Sequence, residues 1–335
     1  MKRFKNPKFR IWMEIAVVVL LIAGLLAYKV LPNKTVDYNT RIIIVFKSLS
    51  ISETMGFWDT VRAGINVATK EFGVITEIVG AEFERDIDGQ INIVEEAIKK
   101  KPAAIILAAT DYNKLVPVSE KVKQAGIKLI TIDSGLSSDI SECFIATDNI
   151  QAGIKAGTEL AKLVDLGSEV AIMSHLRGTA TAIDREKGVR QGLNQSGIIN
   201  IGDTLFCDNS QERSYEIIKQ LLKDKPHISG IACLNETSSL GAAKAIDELG
   251  LSGVVKLVGF DGTGSIEEVK YIERGVMQAT VLQNPFNMGY RGVEMAVKAI
   301  QGEKIDKIID TGSTVINREN MYNTENEQLL FPFIN

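Results

Sequence analysis

From Ile42 onward, short β-branched apolar runs alternate with amphipathic stretches of helical length, separated by short loops. This rhythm constrains the fold more than any other feature, because repeated strand–helix units assemble into a parallel sheet covered by helices. Strands are expected at Ile42–Phe46, Val74–Val79, Ala103–Leu107 and Ile127–Ile132, with helices at Phe57–Phe72, Ile91–Lys100 and Leu115–Ala125. In the first helix Phe57, Val61, Ile65, Ala68 and Phe72 share one face. After Asn149 the rhythm restarts. Helices are expected at Ala152–Val164, Thr181–Gln195, Ser210–Lys223, Ser238–Leu249, Ser265–Arg274 and Pro285–Gln301, the last opened by Pro285. Strands are expected at Val170–Met173, Ile198–Phe206, Ile228–Leu234, Val254–Phe260, Val276–Gln283 and Ile308–Ile316, followed by a polar tail. The fold class is α/β, with two doubly wound parallel-sheet domains joined by crossovers.

The rhythm breaks between Ile127 and Asn149. Ile127–Ile132 ends in Asp133, and a second run, Phe144–Ala146, ends in Thr147 after only about ten intervening residues. A parallel crossover normally needs a dozen or more. The second run is therefore expected not to continue the first sheet, and the chain to pass here from one domain into the other. That would bring Asp133 and Thr147 close to the crossing.

The length of 335 residues leaves room for about two domains. The net charge of −4 argues against a nucleic-acid surface, which is normally basic. Cys143, Cys207 and Cys233 are far apart, with apolar flanks, and read as buried free thiols rather than a metal or disulfide framework. Two histidines, His175 and His227, leave little material for metal or triad chemistry. The glycines of Gly259–Gly264 are in the wrong order for a dinucleotide fingerprint, and no phosphate loop is present, so no cofactor is expected.

At the amino terminus Lys2, Arg3, Lys5, Lys8 and Arg10 precede Ile11–Leu31, which is apolar except for Glu14, Tyr28 and Lys29. Its length suits a spanning helix, and the basic flank predicts a cytoplasmic amino terminus with the remainder exported. A cleaved signal peptide is the alternative, because Ile15–Ala27 also has signal-like length. A retained anchor is favoured, since no small-x-small cleavage site or lipidation cysteine lies near the apolar stretch. The following tether, Pro32–Asn39, would span no more than ~30 Å.

In parallel sheets, ligands bind beyond the carboxyl ends of the strands. Asp111, Asp133, Asn235, Asp261 and Gln283 stand there, and carboxylates and amides suit vicinal hydroxyls. Arg185 adds a planar donor fork, and Phe57 and Trp58 offer flat rings for the C–H face of a sugar. Plainer readings stand beside these. Asn235 and Asp261 each precede a helix and suit caps, Asp111 a turn, Phe57 the core, and Arg185 a surface pair with Asp184 or Glu186.

Beyond these residues, Arg41 to about Asn317 resembles the ribose-binding-protein branch of the type I periplasmic binding proteins, which share their core fold with lactose-repressor-type regulators. The resemblance is carried by Gly56–Gly73, by ITIDSG with IATDN, by TAIDREKGVRQGL, by LNETSSLGAAKAI, by LVGFDGT and by QATVLQNP. It implies ring residues at Phe57 and Trp58, carboxylates at Asp133 and Asp261, a guanidinium at Arg185, amides at Asn235 and Gln283, and a small hydroxyl at Thr147. Two positions depart from the ribose pattern: Ser134 stands where an arginine is common, and Asn209 replaces an aromatic. The departures point away from ribose itself and towards a more polar or roomier cleft for another polyhydroxylated ligand. The implied subdomains are 41–147 with 284–312, and 148–283 with 313–335, after a basic tail (1–10), anchor (11–31) and tether (32–40).

The resemblance implies a non-enzymatic, membrane-anchored, extracytoplasmic receptor whose lobes close on a monosaccharide. Its partner would be an ABC-type permease or a membrane histidine kinase. A sugar-responsive repressor would need a helix-turn-helix where Ile11–Leu31 stands. A glycoside hydrolase would need two carboxyls of separated pKa.

Overall fold

The computed structural model describes residues 39–49, 56–195, 197 and 200–331. In chain order its elements are β1 (Arg41–Phe46), α1 (Phe57–Phe72), β2 (Ile75–Gly80), α2 (Ile87–Lys99), β3 (Ala104–Leu107), α3 (Val116–Gln124), β4 (Lys128–Ile132) and β5 (Cys143–Ala146). Next come α4 (Asn149–Leu163), β6 (Glu169–Ser174), α5 (Ala180–Gln195), β7 (Asn200–Phe206), α6 (Gln211–Asp224), β8 (Ile228–Cys233), α7 (Glu236–Glu248) and β9 (Lys256–Phe260). The chain ends with α8 (Ile266–Glu273), β10 (Ala279–Leu282), α9 (Pro285–Gln301), β11 (Ile308–Asp310), β12 (Thr314–Asn317) and α10 (Thr324–Leu330).

Ile42–Phe46 of β1 are wholly buried, as an inner strand covered by helices on both faces requires. Each such side chain stabilises the fold by roughly 1.5–3 kcal/mol. The strand sits within a sheet of order β11-β5-β4-β3-β1-β2, all parallel. The second sheet has the order β12-β10-β9-β8-β6-β7, parallel except for β12, which runs antiparallel to β10. Apolar cores lie on both faces of this sheet, one built with α4 and α5 and the other with α6, α7, α8 and α10. Each sheet with its helices forms one lobe.

The chain passes between the lobes three times, after β5, after β10 and between β11 and β12. The first and third of these passages are laced together. Asp310 Oδ1 accepts the N–H groups of Asp148 (2.9 Å) and Gly312 (2.8 Å), and the Lys155 ammonium donates to the backbone oxygen of Ser313 at 2.7 Å.

Three expectations are corrected. The Phe144 run does continue the first sheet: β5 pairs in parallel with β4, although Asp133–Glu142 contains no helix. A buried side chain, Leu136, enters the apolar core there, and Ser137 N–H donates to Tyr112 O at 2.8 Å. The loop thus covers the sheet as a crossover helix would. Ile308–Ile316 is not one strand but two, β11 and β12, in different sheets. The polar tail contains α10, whose Leu330 is buried with Met321 in the second lobe. The expected anchor, 11–31, and most of the tether lie outside the described residues, among which no helix is long and apolar enough to cross a membrane.

Candidate ligand-binding cleft

Strand ends from both sheets converge on one cavity of 440 Å³, within the usual range for small-molecule sites. Phe57, Trp58, Asp133, Arg185, Asn209, Asn235, Asp261 and Gln283 all line it. Thr147 and Asp111 do not. The Thr147 hydroxyl donates to Gly312 O at 3.2 Å and ties two of the inter-lobe passages together. Asp111 Oδ1 accepts from the N–H groups of Asn113 and Lys114, a turn role. Ser134 is fully buried and is not part of the lining.

Each lobe contributes one carboxylate held by one cation. In the first, Lys47 Nζ lies 2.6 Å from Asp133 Oδ2, with both side chains about 5% exposed. In the second, the Arg185 guanidinium donates to Asp261 Oδ2 at 3.2 Å, Leu234 O at 2.8 Å and Asn149 Oδ1 at 2.8 Å. It also stacks over the Phe260 ring at 4.0 Å. This is a buried positioning network, not the surface pair with Asp184 or Glu186. The Gln283 amide donates to Asp261 Oδ1, and the Thr280 hydroxyl to Asp261 O. Burial pushes the Asp261 carboxyl up, with Arg185 and Gln283 pulling the other way. Asp133 and Asp261 both have left-handed backbone, φ +59° and +74°. Two non-glycine residues held in that region at one site are backbone strain of the kind that clusters at ligand clamps.

Asn235 fulfils both of its readings. Its Oδ1 accepts from Ser238 N–H at the start of α7 (3.0 Å), while its amide group donates to Asn209 Oδ1 at 2.8 Å in the cavity wall. Asp261 is not a cap, since Ser265 caps α8. The Phe57 and Trp58 rings meet edge to face at 5.0 Å, and Trp58 stacks on buried Phe46 at 4.7 Å. The aromatic wall is therefore anchored in the core.

Several lining residues escaped the sequence reading, Lys47, His175, Glu236 and Glu84 among them. Lys47 and His175 stand at the ends of β1 and β6, where the strand-end rule, applied to every strand, would have found them. Glu236, in the first turn of α7, is pushed up to about 7, mainly by burial. Glu84 receives the Trp58 indole N–H at 3.3 Å, and burial likewise raises its pKa. It lies in a loop four residues beyond β2, where no local pattern marks it. His175 is held neutral, well below the usual imidazole range, by burial and by the charges of Arg185 and Lys47.

Two α/β lobes joined by three passages around a polar, aromatic-walled cleft define a two-lobed binding protein for a small polar molecule. More particularly, the chain belongs to the family of the periplasmic binding protein domain, which matches residues 48–304. It is 30% identical over 275 residues to the D-allose-binding periplasmic protein of Escherichia coli K12, covering 79% of this chain and 85% of the relative. The D-ribose/D-allose-binding protein of Pseudomonas aeruginosa is 28% identical over 272 residues, covering 78% of this chain and 83% of the relative. Among solved structures, an ABC transporter solute-binding protein from Agrobacterium vitis with bound D-fucose superposes with a TM-score of 0.81 at 29% identity, covering 87% of this chain and all of that one. A sugar transporter structure from Clostridium phytofermentans gives a TM-score of 0.76 at 38% identity, over 84% of this chain and 99% of that one.

Proposed function

We propose that the chain is an extracytoplasmic monosaccharide receptor that closes on its ligand, with Phe57, Trp58, Asp133, Arg185, Asn209, Asn235, Asp261 and Gln283 forming the binding site. The observation that carries this reading is the matched pair of strand-end carboxylates. Asp133 and Asp261 come one from each lobe, each has its own cation, and both face one cavity beside the Phe57–Trp58 wall. A carboxylate accepts two hydroxyl donors at once, and an adjacent cation offsets part of the cost of burying its charge. A ligand held from both sides favours the closed arrangement through contacts it makes only there. The chemistry is binding, without a covalent step.

Lys47 supports the reading where Ser134 departs from the ribose pattern, because it brings a cation to Asp133 from β1 instead. With Glu84 and His175 also in its lining, the cleft is rich in polar groups, which favours a hexose or a differently hydroxylated pentose. The moving bodies in this reading are 41–147 with 284–312, and 148–283 with 313–335, a division supported by the two sheets. Delivery to an ABC-type permease is the favoured partnership, since related solute-binding structures are described as ABC transporter components. Signalling through a membrane histidine kinase is the second reading, favoured by Ile11–Leu31 as a retained anchor, which would hold the lobes outside the cell membrane.

The test is a calorimetric titration of the full chain in detergent with D-allose, D-ribose, D-arabinose and D-fucose. Saturation at about 100 times Kd adds about 2.7 kcal/mol of stability. At least one sugar should bind the wild type and lose about 10- to 100-fold affinity in Asp261→Asn. Binding of none of a broader sugar panel would refute the receptor reading.

A further inference from the structure

We propose that the carboxyl-terminal helix α10 is a positioning element of the binding cleft, acting through the loop 261–265; the inference rests on the cleft being the ligand site. Asp261 and Ser265 of this loop line the cavity. Its backbone is unusual, with φ of +74° at Asp261, +89° at Gly262 and +78° at Gly264. The glycines adopt these angles freely, but at Asp261 the conformation persists only where the surroundings hold it.

Two holds are visible. The Glu268 side chain packs so closely on Gly262 that a Cβ there would lie 2.5 Å from its carboxyl carbon. On the other side, Gly264 N–H donates to Leu330 O at 2.7 Å. Leu330, at the end of α10, is 1% exposed and packed in the same apolar core as Met321, with Phe331 against it. A seven-residue helix is not stable alone. Its position is therefore set by the Leu330 seat, and the loop is tied to that seat. The mechanical chain runs from Leu330 through Gly264 to Asp261, whose carboxylate is the second lobe's candidate ligand acceptor.

Breaking α10 without touching the cleft tests this. Glu327 is exposed, and its N–H donates to Asn323 O at 2.9 Å, so Glu327→Pro removes a helical hydrogen bond while Glu327→Ala keeps it. The full chain is titrated with whichever of the four sugars binds the wild type most tightly, well below the melting temperature. Glu327→Pro should weaken binding about tenfold and Glu327→Ala by less than twofold. Coupling is reciprocal, so saturating sugar should slow amide exchange at Gly264 and Phe331 of the wild type about tenfold. This second measurement decides the matter if Glu327→Pro fails to fold, and a purely structural helix would not show it. Sugar binding with unchanged affinity in Glu327→Pro, or with no protection at Phe331, overturns the inference. A wild type that binds no sugar instead overturns the receptor reading, and this inference with it.

Discussion

Lys47 shows how a residue's surroundings set its role. Its ammonium is 5% exposed and has Asp133 as its ion-pair partner, and a buried charge that loses its partner destabilises a protein by about 3–5 kcal/mol. Asp133→Ala is therefore expected to lower both sugar affinity and stability, the latter by about that amount in urea titration. Asp133→Asn should cost less stability while still weakening binding. Equal stability of Asp133→Ala and wild type would mean that the pair is not buried in solution. Glu236 makes a pH prediction. Its carboxyl is pushed up to about 7 from an ordinary 4.5, so the folded state prefers it protonated. Its stabilising contribution is complete below pH 4.5 and is lost as pH rises through 7. Glu236→Gln should match the wild type at pH 4 and exceed it at pH 8, by about 1–3 kcal/mol, as read from melting temperature against pH. At this scale strand-end polarity revealed Asp133, Asp261, Asn235 and Gln283, because sheet geometry places such residues together. Thr147 has the same strand-end position, but its hydroxyl is taken by Gly312, a partner more than a hundred residues away.

The helices meet at unusually close range. Gly153 and Gly157 of α4 face Gly188 and Gly192 of α5, and a Cβ on Gly157 would lie 2.3 Å from Val189 O. Backbone cannot yield as a flexible side chain does, so Gly157→Ala should destabilise the second lobe by about 1–3 kcal/mol. The urea midpoint measures this, and an unchanged midpoint would show that the helices can separate without cost. Helix and strand positions were largely legible because amphipathic periodicity and β-branched runs are local properties. The errors came where a loop replaced a helix, at Asp133–Glu142, and where Ile308–Ile316, two short apolar pairs separated by Asp310–Thr314, was divided between two sheets. Neither arrangement leaves a periodic mark.

At the scale of the molecule, the lobes also touch outside the three passages: Tyr112 N–H donates to Gly178 O at 2.8 Å. Gly178 has φ +88°, and a Cβ there would lie 2.7 Å from Asp111 Oδ2. Gly178→Ala should therefore disfavour lobe contact and weaken sugar binding about tenfold, although residue 178 is outside the cavity lining. Solution scattering should show a smaller radius of gyration with sugar in the wild type, and an unchanged radius in a fully bound sample would contradict closure. The α/β class, the alternation of strands and helices and most of the polar strand ends were legible in the chain alone, because backbone periodicity and burial are written in neighbouring residues. Long-range packing, by contrast, settled that Lys47 pairs with Asp133, that Glu84 reaches the cleft, that Thr147 serves the passages between lobes, and that α10 reaches the Asp261 loop. Those depend on which distant segments the two sheets bring within hydrogen-bonding distance.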